Sequence, residues 1–290
     1  DGSLTHGKRI IDEIVEANRE YKFKIAIKFQ FRNLPDFIHP NFRERYDIKY
    51  VKRFLTTKLE WDEFYELANY AKRNQVMTAC TPFDEYSVNK IIEMNFDILK
   101  IASASFTDWS LLESTEKWKG PMVLSTAGSS FQEIDRVANF MKNRSKNFAL
   151  MHCVAAYPTE DCDLELNRIS KLVTRYENIP IGYSTHENPR NNLAGPIALA
   201  KGAVILERHV GSDFENHELN KYSSSKDTLK NWFNNLTSSI QMLGSIENET
   251  KVNHSELEAL HGLRRFAFIK EDIKVGESID LSKVYFSIPG

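Results

Sequence analysis

Seven short apolar segments recur along the chain, and each is followed by a stretch with helical periodicity. Alternating strands and helices predict a parallel sheet with helices on its faces. At least four segments end in a polar residue of a kind that does chemistry, which is typical of a β/α barrel with its active site at the carboxyl ends of the strands. The pattern therefore predicts an enzyme. The segments are KIAIKFQ (24–30), VMTACTPF (76–83), DILKIAS (97–103), MVLSTAG (122–128), FALMHCVAAYP (148–158), IPIGYSTH (179–186) and AVILERH (203–209).

The intervening stretches supply the predicted helices. Ser130 and Glu133 form the S-x-x-E pattern of a capping box, which marks the start of one of them. The stretch 33–50 is predicted to be a long loop, and loops of this length inside compact domains are usually functional or disordered. We expect helices at 4–21, 60–74, 131–143, 164–176, 190–201 and 226–243.

Composition narrows the function classes. With 290 residues the chain suits one large barrel, and its 38 basic against 40 acidic residues leave a net charge of −2. Such a balance gives no electrostatic case for binding nucleic acid or a membrane surface, and no apolar run approaches the ~18 residues that would span a bilayer. Cys80, Cys153 and Cys162 show no metal-binding spacing, and the first two read as small core residues inside strands. We therefore predict a cytoplasmic protein.

Both ends of the chain depart from a complete barrel. A closed barrel of this type needs eight strands and the pattern gives seven, so we expect the missing first strand to lie before residue 1. The predicted barrel covers 1–244, and a polar linker follows at 245–262. Residues 263–290 show strand-like alternation around VGES but are too few for a domain with its own core.

Residues two apart on a strand share a face, which pairs Ser184 with His186 and Glu207 with His209. Two histidines at the ends of adjacent barrel strands could share one metal ion and leave coordination positions open for substrate and water. The alternative is that each histidine only forms hydrogen bonds in a polar barrel mouth.

Lys28 and Lys100 are predicted inside strands, where an unpaired charge is costly. A bound anion is one partner for them, and the hydroxyls of Thr81, Ser103, Ser125 and Ser184 would suit a phosphate together with a carboxylate. A second interpretation pairs the lysines with Glu207 or an aspartate, or leaves them facing solvent. A third uses one lysine as a Schiff-base nucleophile.

The segments IKFQ, TPFD, KIAS, LSTAG, MHCVAAYPT, IGYSTH and ILERHV, in that order, resemble the N-acetylneuraminate (sialic acid) synthase family. The resemblance implies a (β/α)8 TIM barrel whose first strand, with a catalytic glutamate and an Asn-His pair, precedes Asp1. It also implies that 263–290 begins an antifreeze-like (SAF) domain. In the family that domain is exchanged between the subunits of a homodimer.

The resemblance further implies the reaction and its residues. Phosphoenolpyruvate would condense with an N-acyl hexosamine and release phosphate, with a divalent ion, Mn²⁺ or Mg²⁺, polarising the sugar aldehyde. His186 and His209 would be the metal ligands, and Gln30 and Tyr157 would contact the acceptor sugar. Lys28, Lys100 and Tyr157 are the predicted catalytic residues. Phosphoenolpyruvate would be held by Lys28, Thr81, Lys100, Ser103, Ser125 and Ser184.

The sequence departs from the family pattern on the acceptor side. Ala104 and Ser105 replace a Gly-Glu pair, and Val154 and Ala155 replace polar residues. Asn220 falls where the family has an aspartate that contacts the sugar. We therefore expect the same chemistry on a different acceptor. A lysine-dependent pyruvate aldolase on the same fold and a catalytically silent sugar-binding relative are the alternatives.

Overall fold

The structure is a computed structural model that describes residues 2–213, 218–244 and 252–288. It divides into two compact units, Asp1–Met242 and Leu243–Gly290, and each is described here by itself. Within the described residues, no helix is both long and apolar enough to cross a bilayer.

The first unit is built on a parallel sheet of seven strands. Every strand pairs with the strand that follows it along the chain, so the sheet order is the sequence order. This confirms the parallel sheet predicted from the alternation of strands and helices. The strands are β1 (Ala26–Phe31), β2 (Met77–Pro82), β3 (Ile98–Ile101), β4 (Met122–Ser125), β5 (Phe148–Cys153), β6 (Ile181–Thr185) and β7 (Ile205–Arg208).

The sheet curls so strongly that its first and last strands approach each other. Lys28 Nζ on β1 lies 3.0 Å from Glu207 Oε1 on β7, although these strands stand at opposite ends of the strand order. A flat seven-stranded sheet would separate them by about 28 Å at the usual spacing between strands. The first unit is therefore an α/β fold with a barrel-like curl, and its closure by an eighth strand stays a prediction.

Several of the helices pack against the outer face of the sheet. The capping box predicted at Ser130 and Glu133 is confirmed, and a second one is formed by Glu60 and Glu63. The helices are α1 (Leu4–Asn18), α2 (Leu34–Phe37), α3 (Lys49–Thr56), α4 (Trp61–Arg73), α5 (Glu85–Glu93), α6 (Trp109–Ser114), α7 (Phe131–Asn143), α8 (Asn167–Arg175), α9 (Ala194–Ala200) and α10 (Lys226–Leu243).

Several predicted helix boundaries were wrong, and side chains that form local turns explain two of them. Helix α1 ends three residues early because the Asn18 side chain exchanges two hydrogen bonds with the backbone of Phe23. Helix α9 starts late because Asn191 Oδ1 accepts hydrogen bonds from the N–H groups of Leu193 and Ala194. The stretch 33–50 is not a structureless loop, since it contains α2, a 3₁₀ turn and the start of α3.

The floor of the curled sheet is packed around one methionine. Met151 on β5 is fully buried and stands in register with Gly182 on β6. A Cβ added to Gly182 would lie 2.1 Å from Met151 Sδ and 2.7 Å from the carbonyl oxygen of Ile205. The glycine therefore makes room for the methionine, which closes the interior below the residues at the strand ends.

The second unit contains helix α11 (His254–Leu263) and an antiparallel pair of strands, β8 (Phe266–Ile269) and β9 (Val284–Ser287). The predicted strand around VGES was wrong. Gly276 has φ of 88°, and the N–H of Glu277 donates to the carbonyl of Lys274, so these residues form a turn between the two strands. Helix α11 also occupies the second half of the predicted linker, whose residues 245–251 lie outside the described residues.

Candidate active site

The strand register brings most of the predicted site residues onto one face of the sheet. Gln30 is paired in register with Thr81, and Ser184 with Glu207. Side chains alternate along each strand, so the face can be followed from β1 to β7. It carries, at or just beyond the strands' carboxyl ends, Lys28, Gln30, Thr81, Lys100, Ser125, Cys153, Ser184, His186, Glu207 and His209.

Glu207 is the centre of this face. Its carboxylate accepts hydrogen bonds from Lys28 Nζ at 3.0 Å, Lys100 Nζ at 2.7 Å and Ser184 Oγ at 2.8 Å. The structure thus pairs both lysines with Glu207, which is one of the alternatives that the sequence left open. Two cations share a single carboxylate, so the cluster keeps one net positive charge.

Burial and the charges of the three groups together set the protonation of the cluster. Burial opposes ionisation of Glu207, but the charges of Lys100 and Lys28 outweigh it and hold the pKa of this carboxyl well below its ordinary value. Burial lowers the pKa of the Lys100 ammonium, the charge of Lys28 adds to this, and Glu207 opposes it. The side chain of Lys100 is only 4% exposed, so the carboxylate is what keeps its charge tolerable.

The predicted hydroxyl residues surround this cluster in different ways. Thr81 Oγ1 is buried and has no hydrogen-bond partner among the described residues. Ser125 is buried at the end of β4, and Ser103 Oγ accepts a hydrogen bond from the N–H of Ala127. A buried hydroxyl without a partner is costly, so Thr81 has a donor to offer to a ligand oxygen.

The two predicted metal ligands lie together. The rings of His186 and His209 are 5.1 Å apart. His186 Nδ1 lies 2.8 Å from the carbonyl oxygen of Val154, which can only accept, so Nδ1 carries the proton and Nε2 keeps a free lone pair. Burial lowers the pKa of His186, and burial with the charge of Lys28 lowers the pKa of His209 to about 3.

Neutral imidazoles with a free ring nitrogen are good ligands for a divalent ion, so this pair could fill two positions in the coordination sphere of a metal ion. Among the described residues, no group of three His, Cys, Asp or Glu side chains is placed to hold a metal. The two histidines therefore fit an open site whose remaining ligands would be oxygen atoms of substrate and water.

Two tyrosines stand over the imidazoles at the mouth. The ring centre of Tyr157 lies 4.3 Å from that of His186, and the ring centre of Tyr222 lies 5.2 Å from that of His209. The ring centres of the two tyrosines are 5.4 Å apart. Tyr157 is half-exposed and precedes a cis proline. Asn220 is exposed, and its side-chain oxygen accepts a hydrogen bond from the N–H of Tyr222, so it shapes the turn that carries this ring.

Sequence reasoning missed Tyr222 and the environment of Cys153. Tyr222 lies two residues beyond Asn220 on a segment with no strand pattern, so the sequence indicated this segment but not the tyrosine itself. Cys153, interpreted as a core residue, faces the site with its Sγ 3.8 Å from His186 Nδ1. Alternation along β5 could have revealed this, since Cys153 lies two residues beyond Met151 on the interior face.

A buried ion pair lies behind the two histidines. Glu187 directly follows His186 and Arg208 directly precedes His209, so both point to the opposite face. Arg208 Nη2 is 3.9 Å from Glu187 Oε1, and the Tyr183 hydroxyl donates to Glu187 Oε2 at 3.3 Å. Both charged side chains are at most 2% exposed. The pair ties the ends of β6 and β7 together where the histidines emerge.

The chain is similar in sequence and structure to several known proteins. A solved structure from Chromobacterium violaceum, provisionally named spore coat polysaccharide biosynthesis protein E, is 40% identical. It has a TM-score of 0.96 and covers 99% of this chain and 85% of that one. The N-acetylneuraminic acid (sialic acid) synthetase from Leptospira borgpetersenii is 28% identical, with a TM-score of 0.75 and coverage of 89% of this chain and 86% of that one.

A third relative is the N-acetylneuraminate-9-phosphate synthase of Drosophila melanogaster, which is 34% identical over 153 residues. That match spans 52% of this chain and 41% of the fly protein, so the chain covers less than half of that enzyme's length. Residues 14–248 match the NeuB family as a whole.

The sequence resemblance and the predicted enzyme class are both confirmed by these matches. The family match covers most of the first unit and includes all seven strands of the sheet. The chain belongs to the NeuB family.

Proposed function

We propose that the chain is the barrel of a synthase that condenses phosphoenolpyruvate with an N-acyl hexosamine to give a sialic acid or related nonulosonic acid. The observation that carries the proposal is the Lys28–Glu207–Lys100 cluster beside the paired imidazoles of His186 and His209. It offers a cationic pocket for a small polyanion next to a site for a divalent ion. Family membership supports the same class of reaction.

The lysines would hold phosphoenolpyruvate. Both ammonium groups currently share the Glu207 carboxylate, and an incoming carboxylate or phosphate would supply the second anion that the pair lacks. The unpartnered hydroxyl of Thr81 would donate to the same substrate, and the buried Ser125 lies two strands away on the same face. These contacts orient the methylene carbon of the substrate toward the mouth.

His186 and His209 would hold a divalent ion, Mn²⁺ or Mg²⁺, which would polarise the aldehyde of the open-chain sugar as a Lewis acid. The Val154 carbonyl fixes the tautomer of His186, and burial, aided by the charge of Lys28, lowers the pKa of both rings and keeps them neutral. Burial raises the pKa of Tyr157, so its phenol stays protonated and can donate a hydrogen bond to the sugar.

The reaction balances without a further reagent. The methylene carbon of phosphoenolpyruvate forms the new bond to the aldehyde carbon, whose oxygen takes up a proton. Water then adds to the adjacent cationic carbon, and phosphate leaves as its C–O bond breaks, which produces the 2-keto acid. The positive pocket stabilises the anionic groups throughout these steps.

The departures Ser105, Ala155 and Asn220 lie on the acceptor side, which supports an acceptor other than plain N-acetylmannosamine. Three further expectations concern the barrel closure, the second unit and the oligomeric state. An eighth strand would close the barrel between β7 and β1. The second unit would begin an SAF domain, and the full-length protein would be a homodimer.

Phosphate release from phosphoenolpyruvate, measured for the full-length protein with Mn²⁺, tests the function. A panel of N-acyl hexosamines and their 6-phosphates should include at least one sugar that makes release depend on both sugar and metal. The absence of any phosphoenolpyruvate binding would overturn the site. A clear preference for N-acetylmannosamine would overturn the expectation of a different acceptor.

The lowered pKa of Lys100 favours one second candidate, a lysine-dependent pyruvate aldolase. In that reaction the neutral amine would form an imine with pyruvate. Borohydride should then trap a covalent adduct on Lys100 in the absence of metal. A strictly metal-dependent reaction with no trapped adduct would exclude the aldolase.

A further inference from the structure

Three polar residues follow one another along the same face of β1, from the interior of the site to its rim. Lys28 lies deepest and pairs with Glu207, Gln30 follows on the same face, and Arg32 comes directly after the strand. Arg32 Nη2 donates a hydrogen bond to Gln30 Oε1 at 3.0 Å. Arg32 therefore sits at the mouth, above the residue predicted to contact the acceptor sugar.

Arg32 is held in a fixed orientation by aromatic rings. Its guanidinium carbon lies 3.7 Å from the ring centre of Phe83, 4.2 Å from that of Phe54 and 5.8 Å from that of Phe37. Because ring faces cover the guanidinium plane, its N–H groups can bond only at the edge. The buried Nε of Arg32 has no hydrogen-bond partner among the described residues.

Arg53 on α3 brings a second guanidinium to the same rim. At about 100° per residue, Tyr50, Arg53 and Phe54 share one side of the helix, and Phe54 is the ring that contacts Arg32. Burial and the charge of Arg53 lower the pKa of Arg32 to about 10. Arg53 therefore lies on the side of α3 that faces Arg32.

These two cations lack an anion of their own. Within the described ranges, neither Arg32 nor Arg53 forms an ion pair with a carboxylate. Asp84 acts on Arg32 from a distance, but its two oxygens accept hydrogen bonds of 2.7 Å from the N–H groups of Asn33 and Ser87. Two neighbouring guanidinium groups match a dianionic phosphate.

Resting on the proposed function, we propose that the acceptor is an N-acyl hexosamine phosphate whose phosphate is bound by Arg53 and Arg32 at the rim. Phosphoenolpyruvate has its own cations deeper in the site, since Lys28 and Lys100 contact Glu207 on the interior face. Gln30, held by Arg32, links the two binding regions. The segment 33–57 contains α2 and α3. Under this proposal it is the part of the chain that selects the acceptor.

The test compares Arg53→Ala with Lys52→Ala in the full-length protein. The Lys52→Ala control removes the same charge from the same helix. The Lys52 side chain lies about 100° from that of Arg53 around the helix axis, away from Phe54 and opposite Tyr50. The KM for N-acetylmannosamine 6-phosphate, for N-acetylmannosamine and for phosphoenolpyruvate is measured for each protein. The parent should prefer the 6-phosphate, and Arg53→Ala should raise its KM by about 10- to 100-fold, as expected for a lost hydrogen bond to a charged group.

The other KM values should stay within about twofold in Arg53→Ala, and all three should do so in Lys52→Ala. Equal increases for both sugars, an increase for phosphoenolpyruvate, or a parent enzyme without preference for the 6-phosphate would each overturn the proposal. Arg32→Lys should raise the KM for the 6-phosphate as well, because an ammonium keeps the charge but loses the planar edge.

Calorimetry separates this proposal from the proposed reaction. Binding of N-acetylmannosamine 6-phosphate without phosphoenolpyruvate requires no turnover. If that binding is present in the parent and lost in Arg53→Ala while no sugar supports phosphate release, the phosphate site stands and the reaction fails. If release occurs with the unphosphorylated sugar and the 6-phosphate does not bind, the reaction stands and the phosphate site is wrong.

Discussion

Replacing Glu207 by glutamine tests the central cluster most directly. Glutamine keeps the size of the side chain and one carbonyl acceptor, but it removes the negative charge that Lys28 and Lys100 share. The two ammonium groups are then left beside each other without an anion. Breaking a buried ion pair by removing one partner is strongly destabilising, because the remaining charge stays desolvated.

The exposure of each lysine sets the expected size of the effect. The side chain of Lys100 is 4% exposed and that of Lys28 is 24% exposed, so the first loses most and the second is partly compensated by water. We expect Glu207→Gln to lower the free energy of unfolding by about 3 kcal/mol, at the lower end of the range for a broken buried pair. In a unit of this size that corresponds to a fall in Tm of about 6–12 °C.

Thermal unfolding with and without phosphoenolpyruvate provides the assay. In the variant, phosphoenolpyruvate no longer competes with Glu207 for the lysines. A saturating concentration of phosphoenolpyruvate should therefore raise the Tm of the variant by more than it raises the Tm of the parent. Glu66→Gln is the matched control, because Glu66 pairs with Lys8 on the surface and its side chain is 46% exposed. A Glu207→Gln variant as stable as the control, with no larger response to phosphoenolpyruvate, would refute the cluster's role.

Three further predictions concern Gly182 below the site, the proposed metal ligand His209 and the buried His152. Gly182→Ala should lower the free energy of unfolding in urea by about 1–3 kcal/mol, because the new Cβ would overlap Met151; an unchanged midpoint would contradict the packing. His209→Ala should abolish metal-dependent phosphate release and weaken Mn²⁺ binding in calorimetry, and full activity in that variant would disprove the ligand assignment. Burial lowers the pKa of His152 from 6.5, so its contribution to stability is complete above that pH and is lost as the pH falls below it. His152→Gln should therefore flatten the decline of stability with acid, and a parallel decline would show that another group is responsible.

The sheet could be predicted from sequence because its inner strands, β2 to β6, are mostly buried on both faces and read as apolar runs bounded by polar turns. Element ends were harder to predict. Asn18 and Asn191 stop or delay helices through side-chain hydrogen bonds that compete with helical periodicity. The alternation in VGES resembled a strand, yet Gly276 adopts a positive φ and turns the chain.

The candidate site could be predicted in part for the same reason. Alternation along each strand places Lys28, Lys100, Ser184 and the two histidines on one face without any knowledge of the curl. The partner of the lysines depends on that curl, since Glu207 is 179 residues from Lys28 along the chain. Tyr222 follows the last strand on an irregular segment, where neither period nor spacing indicates its position.

The two sides of β6 and β7 carry different contacts next to the histidine pair. His186 and His209 point inward, while their chain neighbours Glu187 and Arg208 point outward and form a buried pair. Each charged residue is the chain neighbour of one histidine, so the contact between Glu187 and Arg208 holds together the two strand ends that carry the imidazoles. The guanidinium of Arg208 also lies 5.2 Å from the ring centre of Trp232 on α10, which limits its movement. Packing on the outer side of β6 and β7 thus supports the backbone that carries both histidines, which favours a ligand that needs the two rings together.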